Sequence, residues 1–112
     1  MLLEVINGFR QFNNTHPVGI DTWMSDNCTK HNEEMARRGN LFHSEPCYRN
    51  NWSEAVAARS CDMSFSDTLN NIVYDILGSD WPNKNIILSA GIIACSAVVI
   101  NGIMWVTIRG LN

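Results

Sequence analysis

Two side chains in this sequence have types and spacing that suit chemistry: His43, and Glu54 eleven residues later. A histidine and a carboxylate supplied by separate elements are the usual components of a metal site or an acid/base pair. His43 follows two apolar residues, and Glu54 stands at the head of a run rich in Ala and Val. A purely structural pair, in which a His–Glu hydrogen bond ties a loop to a helix, stays open beside a ligand-binding role.

The size and composition of the chain predict one globular domain spanning residues 1–112. A length of 112 residues is usual for a single domain. The hydrophobic share of 46% and the charged share of 17% exclude a disordered chain. With a net charge of −3 and no basic stripe, nucleic acid is not expected as a partner. Met1 is not followed by a basic and then apolar stretch, so no signal peptide is predicted within the chain.

Apolar side chains at helical spacing predict two helices in the first third. The first helix has its stripe at Leu2, Leu3, Ile6 and Phe9, and it ends near residues 13–14. Asp21 or Thr22 can cap the second helix. The stripe of that helix is Met24, Cys28, His31 and Met35, and residues 37–39 carry its stop signals.

Two further helices and a turn are predicted for the middle of the chain. A short third helix runs from about Ser53 to Arg59. Ser66 caps a fourth helix, which ends at Gly78. Residues 79–84, which include a tryptophan and a proline, are predicted to form an irregular turn.

The segment from Ile86 to Ile108 contains no charged residue, and it has two interpretations. About 20 apolar residues suffice for a transmembrane helix, so a small membrane-anchored protein is one alternative. Asn101-Gly102 interrupts the segment between two runs rich in β-branched residues, which is the strongest short signal of a β-hairpin. We therefore predict strands over residues 91–100 and 103–109 and no transmembrane segment. The fold class is α+β, with helices packed on both faces of a small, largely antiparallel sheet.

Several stretches resemble the CAP superfamily (cysteine-rich secretory proteins, antigen 5 and pathogenesis-related 1 proteins) in its compact bacterial SCP-like form. MARRGNLFHS at 35–44 and SEAVA at 53–57 are similar to the centre of that family. The second helix is similar to its L...A..H...MA helix, and GIIACSAVVI with IMWVTIRG to its paired GvGva and yVtq.F strands. The resemblance covers almost the whole chain in the family's order. It implies a CAP-like α/β/α sandwich.

The resemblance also implies a cleft built from two histidines and one or two acids, in which some members hold a divalent metal. His43 matches the first histidine, and Glu54 matches the glutamate of the family's GEN motif. Ser53 and Ala55 replace the Gly and the Asn of that motif. The cleft therefore resembles the family's cleft in a degenerate form.

The second half of the implied cleft departs from the family. The motif W..SPGHR.NIL corresponds to residues 76–87, where Ser79 matches and Pro82 stands in place of the second histidine. Trp81 beside it is a candidate for the binding surface. His31 is a third candidate ligand, with a half-buried, hydrogen-bonded histidine as the alternative. We expect no cofactor and no tight metal, and His43 and Glu54 are at most weak divalent-metal ligands.

Four cysteines allow three pairings, and no CxxC motif is present. Cys47 and Cys61 lie in polar surroundings that flank the predicted third helix, so we predict that they form a disulfide if the protein is exported. Such a bridge would close a loop of about 15 residues and stabilise the fold by ~3 kcal/mol. Cys28 and Cys95 stand where the family places small apolar residues, and we expect buried free thiols there.

The resemblance favours a non-catalytic, extracellular or cell-surface binding module of the CAP type. Its cleft would engage a small molecule, a lipid or a partner protein. The alternative is a metal- or thiol-dependent hydrolase that uses the same cleft, with Cys47 as the nearest candidate nucleophile and only Arg49 beside it to lower its pKa. The candidate site residues are His43, Glu54, His31, Ser79 and Trp81.

Overall fold

The computed structural model describes residues 1–44 and 52–111. The elements are α1 Leu2–Phe12, β1 Gly19–Ile20, α2 Thr22–Arg38, β2 Trp52–Ser60, α3 Phe65–Asn70 with a π-helical continuation Asn71–Leu77, α4 Trp81–Ser89, β3 Ile92–Ile100 and β4 Ile103–Leu111. Within this part of the chain the strands form one sheet in the order β1-β3-β4-β2. Only the two-residue pairing of β1 with β3 is parallel. The predicted α+β class and the largely antiparallel sheet are confirmed.

The hairpin of β3 and β4 forms where the Asn-Gly pair predicts it. Asn101 and Gly102 adopt φ values of 52° and 76°, the left-handed conformation that a two-residue type I′ turn requires. Ile100 then pairs with Ile103, and the antiparallel register continues to the other end of the strands. No helix within residues 1–44 and 52–111 is both long and apolar enough to cross a membrane.

The side chains of β4 alternate between two helical layers. One set enters the main apolar core together with α1, the π-helical segment and α4: Met104, Val106 and Ile108. Thr107 and Arg109 point to the other face, where they donate hydrogen bonds to Asn32 and Asn27 of α2. Because α2 covers one face of the sheet and the remaining helices cover the other, the molecule is an α/β/α sandwich.

Residues 52–60 form a strand, so the prediction of a short helix from Ser53 to Arg59 is wrong. β2 pairs with β4 along its whole length. Its core face carries Ala55 and Ala57, while Glu54 is buried on the opposite face. Burial of both faces hides the alternation that normally reveals a strand. The run of alanines favours a helix locally, and pairing with β4 overrides that preference.

Helix boundaries agree with the prediction for α2 and differ further along the chain. Asp21 caps α2 by accepting a hydrogen bond from the Met24 backbone N–H at 2.9 Å, and Gly39 ends the helix with φ 74°. Ser64, and not Ser66, caps α3. The irregular turn predicted for residues 79–84 is confined to residues 79 and 80, and α4 begins at Trp81 with Pro82 in its first turn, where a missing N–H costs nothing.

Candidate functional site

The carboxylate of Glu54 lies buried beneath a cleft and accepts four hydrogen bonds from residues that the structure describes. Oε1 accepts from His43 Nδ1 at 3.1 Å and from the Ser44 backbone N–H at 2.7 Å. Oε2 accepts from Ser44 Oγ at 2.7 Å and from Arg109 Nε at 3.0 Å. Because a carboxylate offers about four lone-pair positions, all of those of Glu54 are occupied by the protein.

The strand pairing brings Glu54 and Arg109 together. The two residues are direct partners in the register of β2 and β4, on the face that α2 covers. Arg109 is 1% exposed, and it also donates to Ser44 Oγ and to Asn27 Oδ1, each at 2.7 Å. Its guanidinium lies 4.6 Å from the ring centroid of Trp52. The five N–H donors of arginine suit a position at which it bonds to α2, to β2 and to the segment that carries Ser44.

The surroundings of Glu54 keep it ionised. Burial acts to raise the pKa of Glu54, but the hydrogen bonds from Ser44 and the ion pair with Arg109 outweigh burial and hold the pKa below its ordinary value. An ionised carboxylate can only accept, so Nδ1 of His43 carries the proton in their hydrogen bond. In the neutral ring, Nε2 of His43 therefore keeps its lone pair. The His43 side chain is 49% exposed, which leaves it accessible to a ligand.

His31 lies beside this pair but is committed to another partner. Its Nε2 is 2.7 Å from the backbone oxygen of Phe42 and 4.0 Å from Glu54 Oε1. A carbonyl oxygen can only accept, so His31 Nε2 carries a proton and donates. The ring is buried and packs edge-on against the Phe42 ring. This is the hydrogen-bonded histidine named above as the alternative to a ligand.

These side chains do not fit the divalent metal that the resemblance implies for some CAP proteins. A metal ligand must offer a lone pair. The lone pairs of Glu54 are occupied, and Nε2 of His31, the atom nearest to Glu54, carries a proton, so His43 Nε2 is the nitrogen of this pair that keeps an open lone pair towards the cleft. Residues 1–44 and 52–111 contain no group of three or more His, Cys, Asp or Glu side chains that could hold a metal ion.

The cleft above Glu54 has a volume of about 500 Å³ and a basic lining. The described lining residues are Asn27, Lys30, His31, Arg38, Phe42, His43, Ser44 and Arg109. Sequence reasoning missed Asn27, Lys30, Arg38, Phe42, Ser44 and Arg109. The spacing of positions 27, 30, 31 and 38 on α2 was the available signal, since residues three, four and seven apart share a helix face.

Ser79 and Trp81 are not among the described residues that line the cleft. Ser79 Oγ donates to the Asp75 backbone oxygen at 2.6 Å, and Trp81 is 67% exposed at the start of α4. That helix packs on the opposite face of the sheet, where a Cβ placed on Gly110 would lie 3.0 Å from the Ile86 backbone oxygen. The resemblance places the second half of the cleft at residues 76–87, but the wall facing His43 is formed by α2.

The described cysteines are free thiols away from the cleft lining. Burial raises the pKa of Cys28 to about 12 and the pKa of Cys95 to about 11, so both are buried and unreactive, as predicted. Cys61 Sγ lies 3.6 Å from Thr68 Oγ1. Cys47 and Arg49 lie outside the described residues. The Cys47–Cys61 disulfide and the thiol-dependent alternative therefore stay predictions.

Comparison with known proteins gives a likeness of fold. No protein-family model matches the chain, and no curated protein matches it. Among solved structures, an outer surface protein from Borrelia burgdorferi is similar, with a TM-score of 0.75 and 16% sequence identity. The match covers 99% of this chain and 90% of that chain. At this identity the likeness shows the fold alone.

Proposed function

We propose that the chain is a non-catalytic binding module of the CAP type that works outside the cell or on its surface. Its cleft between α2 and β4 engages a small molecule, a lipid or a partner protein. The observation that carries the proposal is the saturated carboxylate of Glu54, whose four hydrogen bonds come from His43, Ser44 and Arg109. A carboxylate used in this way organises a cleft but does not hold a metal or exchange protons with a substrate.

The CAP-type assignment is supported by element order and by one contact. The helices, the segment with His43, the segment with Glu54 and the final hairpin follow the order of the family's motifs. His43 and Glu54 meet at 3.1 Å, as the resemblance requires of its cleft residues. The surface location is supported by the resemblance and by the structural neighbour, which is an outer surface protein. Mild proteolysis of intact source cells tests it, because a surface module is degraded before cytoplasmic markers.

A hydrolase is the second candidate, and the orientation of His43 by Glu54 is the observation that favours it. A histidine whose Nδ1–H is held by a carboxylate presents Nε2 as a general base. A base alone is insufficient, because hydrolysis also needs an aligned nucleophile or an activated water. The hydroxyl of the neighbouring residue, Ser44 Oγ, donates its proton to Glu54 and accepts from Arg109, so that proton is not directed at His43.

Protein-observed NMR with a small fragment library distinguishes the two functions. For a binding module, fragments perturb the backbone amides of Asn27, Lys30, His43 and Ser44 and are recovered unchanged after long incubation. The His43→Gln variant weakens these responses, and His16→Gln is the matched control because His16 is exposed and lies outside the cleft lining. Conversion of a fragment that is lost in His43→Gln would establish the hydrolase. Responses confined to other surfaces would contradict the binding cleft.

A further inference from the structure

The cleft is basic although the protein as a whole is acidic. The net charge of the chain is −3, yet the described lining includes Lys30, Arg38 and Arg109 and no acidic side chain. Arg109 is balanced by Glu54 beneath the cleft, and Arg38 shares the exposed Glu34 with another arginine. Lys30 makes no ion pair with a described residue. The cleft therefore carries positive charge although the molecule as a whole carries a net negative charge.

Two hydrogen-bonding groups left open in the cleft are donors, and a third becomes a donor when it is protonated. Asn27 Oδ1 already accepts from Arg109, so its Nδ2 is the free end of the amide. The ammonium group of Lys30 donates to no described residue. His43 uses Nδ1 towards Glu54 and keeps Nε2, which becomes a further donor when the ring is protonated. The oxygens of a carboxylate or phosphate only accept, and charged donors bind them most strongly.

Aromatic surface adjoins these donors. Phe42 lines the cleft, and the Arg38 guanidinium lies 4.9 Å from its ring centroid. Trp23 is 77% exposed and lies one helical turn before Asn27 on the same face of α2. An apolar group attached to a bound anion would pack against this surface.

We infer that the cleft recognises a small anion, the carboxylate or phosphate group of its ligand, held between Lys30 and Arg38 of α2 and His43. The inference rests on the proposed function, because it names the group that the binding module recognises. Binding of such an anion strengthens as the pH falls, since protonation of His43 adds a charged donor at Nε2 while Nδ1 still donates to Glu54.

The charged and titratable groups around His43 come from three elements: Glu54 of β2 at 3.1 Å, Arg109 of β4 paired with that carboxylate, and Lys30, His31 and Arg38 of α2 in the cleft lining. A metal ion would behave in the opposite way, because it needs the neutral imidazole. The sign of the pH dependence therefore separates an anion site from a cation site.

The test titrates the protein with inorganic phosphate, hexanoate and hexanamide at low salt and follows backbone amide shifts by NMR. Hexanamide is the neutral match of hexanoate. The expected result is that phosphate and hexanoate perturb Lys30, Arg38 and His43, whereas hexanamide does not. Equal affinities for phosphate and hexanoate indicate a site for a free anion. Tighter binding of hexanoate indicates an amphiphile whose chain contacts the face of Trp23.

Charge-removal variants locate the site. Lys30→Gln and Arg38→Gln each weaken hexanoate binding roughly two- to fivefold, the range for single exposed charge pairs. Arg37→Gln is the matched control: it removes the same charge one residue away and also pairs with Glu34, but it lies outside the cleft lining. It leaves the affinity nearly unchanged. His43→Gln abolishes the increase in hexanoate affinity at pH 5.5, and His16→Gln retains that increase.

Three outcomes would overturn the inference. Perturbation of the cleft by hexanamide and not by the anions would reject an anion site and leave the binding module standing. If Arg37→Gln lowered the affinity for hexanoate as much as Lys30→Gln does, overall charge and not a specific site would govern binding. The absence of cleft responses to all three probes and to the fragment library would reject the inference and the proposed function together.

Discussion

At the scale of single residues, the central feature of this protein is the buried ion pair of Glu54 and Arg109. Both side chains are almost fully buried, and their mutual ion pair is 3.0 Å long. Charges taken out of water are tolerated only when the remaining lone pairs and protons are satisfied. Here Ser44, His43 and Asn27 complete the network around the pair. The pair is therefore sensitive to the loss of either member.

We predict that Glu54→Gln lowers the free energy of unfolding by about 3–5 kcal/mol, because Arg109 is left buried without a counterion. Urea denaturation monitored by tryptophan fluorescence measures the change. Glu34→Gln is the control, since Glu34 forms only exposed ion pairs, and its effect on the free energy of unfolding should be small. The double variant Glu54→Leu/Arg109→Met should recover most of the loss. Equal effects of Glu54→Gln and Glu34→Gln would contradict this account.

The depressed pKa of Glu54 predicts how stability depends on pH. Its folded pKa lies below the value in the unfolded chain, about 4.3, so its contribution is complete above that pH. The contribution is lost as the pH falls through the folded pKa, where protonation leaves Arg109 without its anion. Unfolding free energies of wild type and Glu54→Gln should therefore differ constantly from pH 7 to 5.5 and converge below pH ~4. A difference that persists undiminished at pH 3 would reject this linkage.

Thiol labelling tests the burial of the cysteines. In the Cys47→Ser variant, Cys61 should react with a maleimide in the folded protein, because it is partly exposed. Cys28 and Cys95 should react only after unfolding, since burial keeps their thiols protonated, with pKa values of about 12 and about 11. Mass spectrometry of a digest identifies the labelled positions. A non-reduced digest of exported wild type tests the Cys47–Cys61 bridge at the same time.

At the scale of elements, the hairpin and β2 determine the site. Residue 109 faces α2 because the two-residue turn at Asn101-Gly102 sets the register of β3 and β4. Residue 54 lies opposite Arg109 because β2 pairs with β4 in one continuous register. A slip of one residue in β2 would move Glu54 to the apolar core face. The chemistry of the cleft thus depends on a turn some distance from it.

We predict that Gly102→Ala lowers the free energy of unfolding by about 1–2 kcal/mol, since a Cβ is unfavourable at its φ of 76°. Gly19→Ala is the matched control. Its added Cβ meets no atom within 4 Å, and its φ is not in the left-handed range. Thermal unfolding should show a clear decrease for Gly102→Ala and little change for Gly19→Ala. Equal melting temperatures for the two variants would exclude a strained turn.

At the scale of the whole molecule, the sandwich places its functional groups asymmetrically. The face covered by α2 carries the buried pair, the histidines and the basic lining. The opposite face carries the main apolar core with α1, the π-helical segment and α4. Pro82 belongs to α4, and α4 packs on the face of the sheet opposite the cleft that His43 lines. The segment that resembles the second-histidine motif therefore does not complete the cleft.

We predict that zinc binds more weakly than micromolar at neutral pH and more weakly still at pH 5.5, because protons compete with a metal ion for an imidazole nitrogen. The reason is that Glu54 has no free lone pair and that three basic groups line the cleft. Isothermal titration of wild type and His43→Ala measures the affinity. Submicromolar binding that disappears in His43→Ala would show that the network around Glu54 opens to receive a metal.

The sequence by itself determined those features that depend on neighbours along the chain. Apolar spacing and capping residues predicted α1 and α2, and Asn101-Gly102 predicted the hairpin, because each of these signals acts within a few residues. The proximity of His43 and Glu54 followed from the resemblance and agrees with their 3.1 Å contact.

Only the tertiary structure decided the features that depend on pairing between distant segments. β2 is a strand because β4 pairs with it, against the helical preference of its alanines. Arg109, 55 residues from Glu54, becomes its counterion through that same pairing. The spacing of residues 27, 30, 31 and 38 places them on one face of α2, but that face becomes the wall of a basic cleft only when α2 is laid over this pair. Contacts of this kind are set by strand register and packing, which a single sequence does not encode locally.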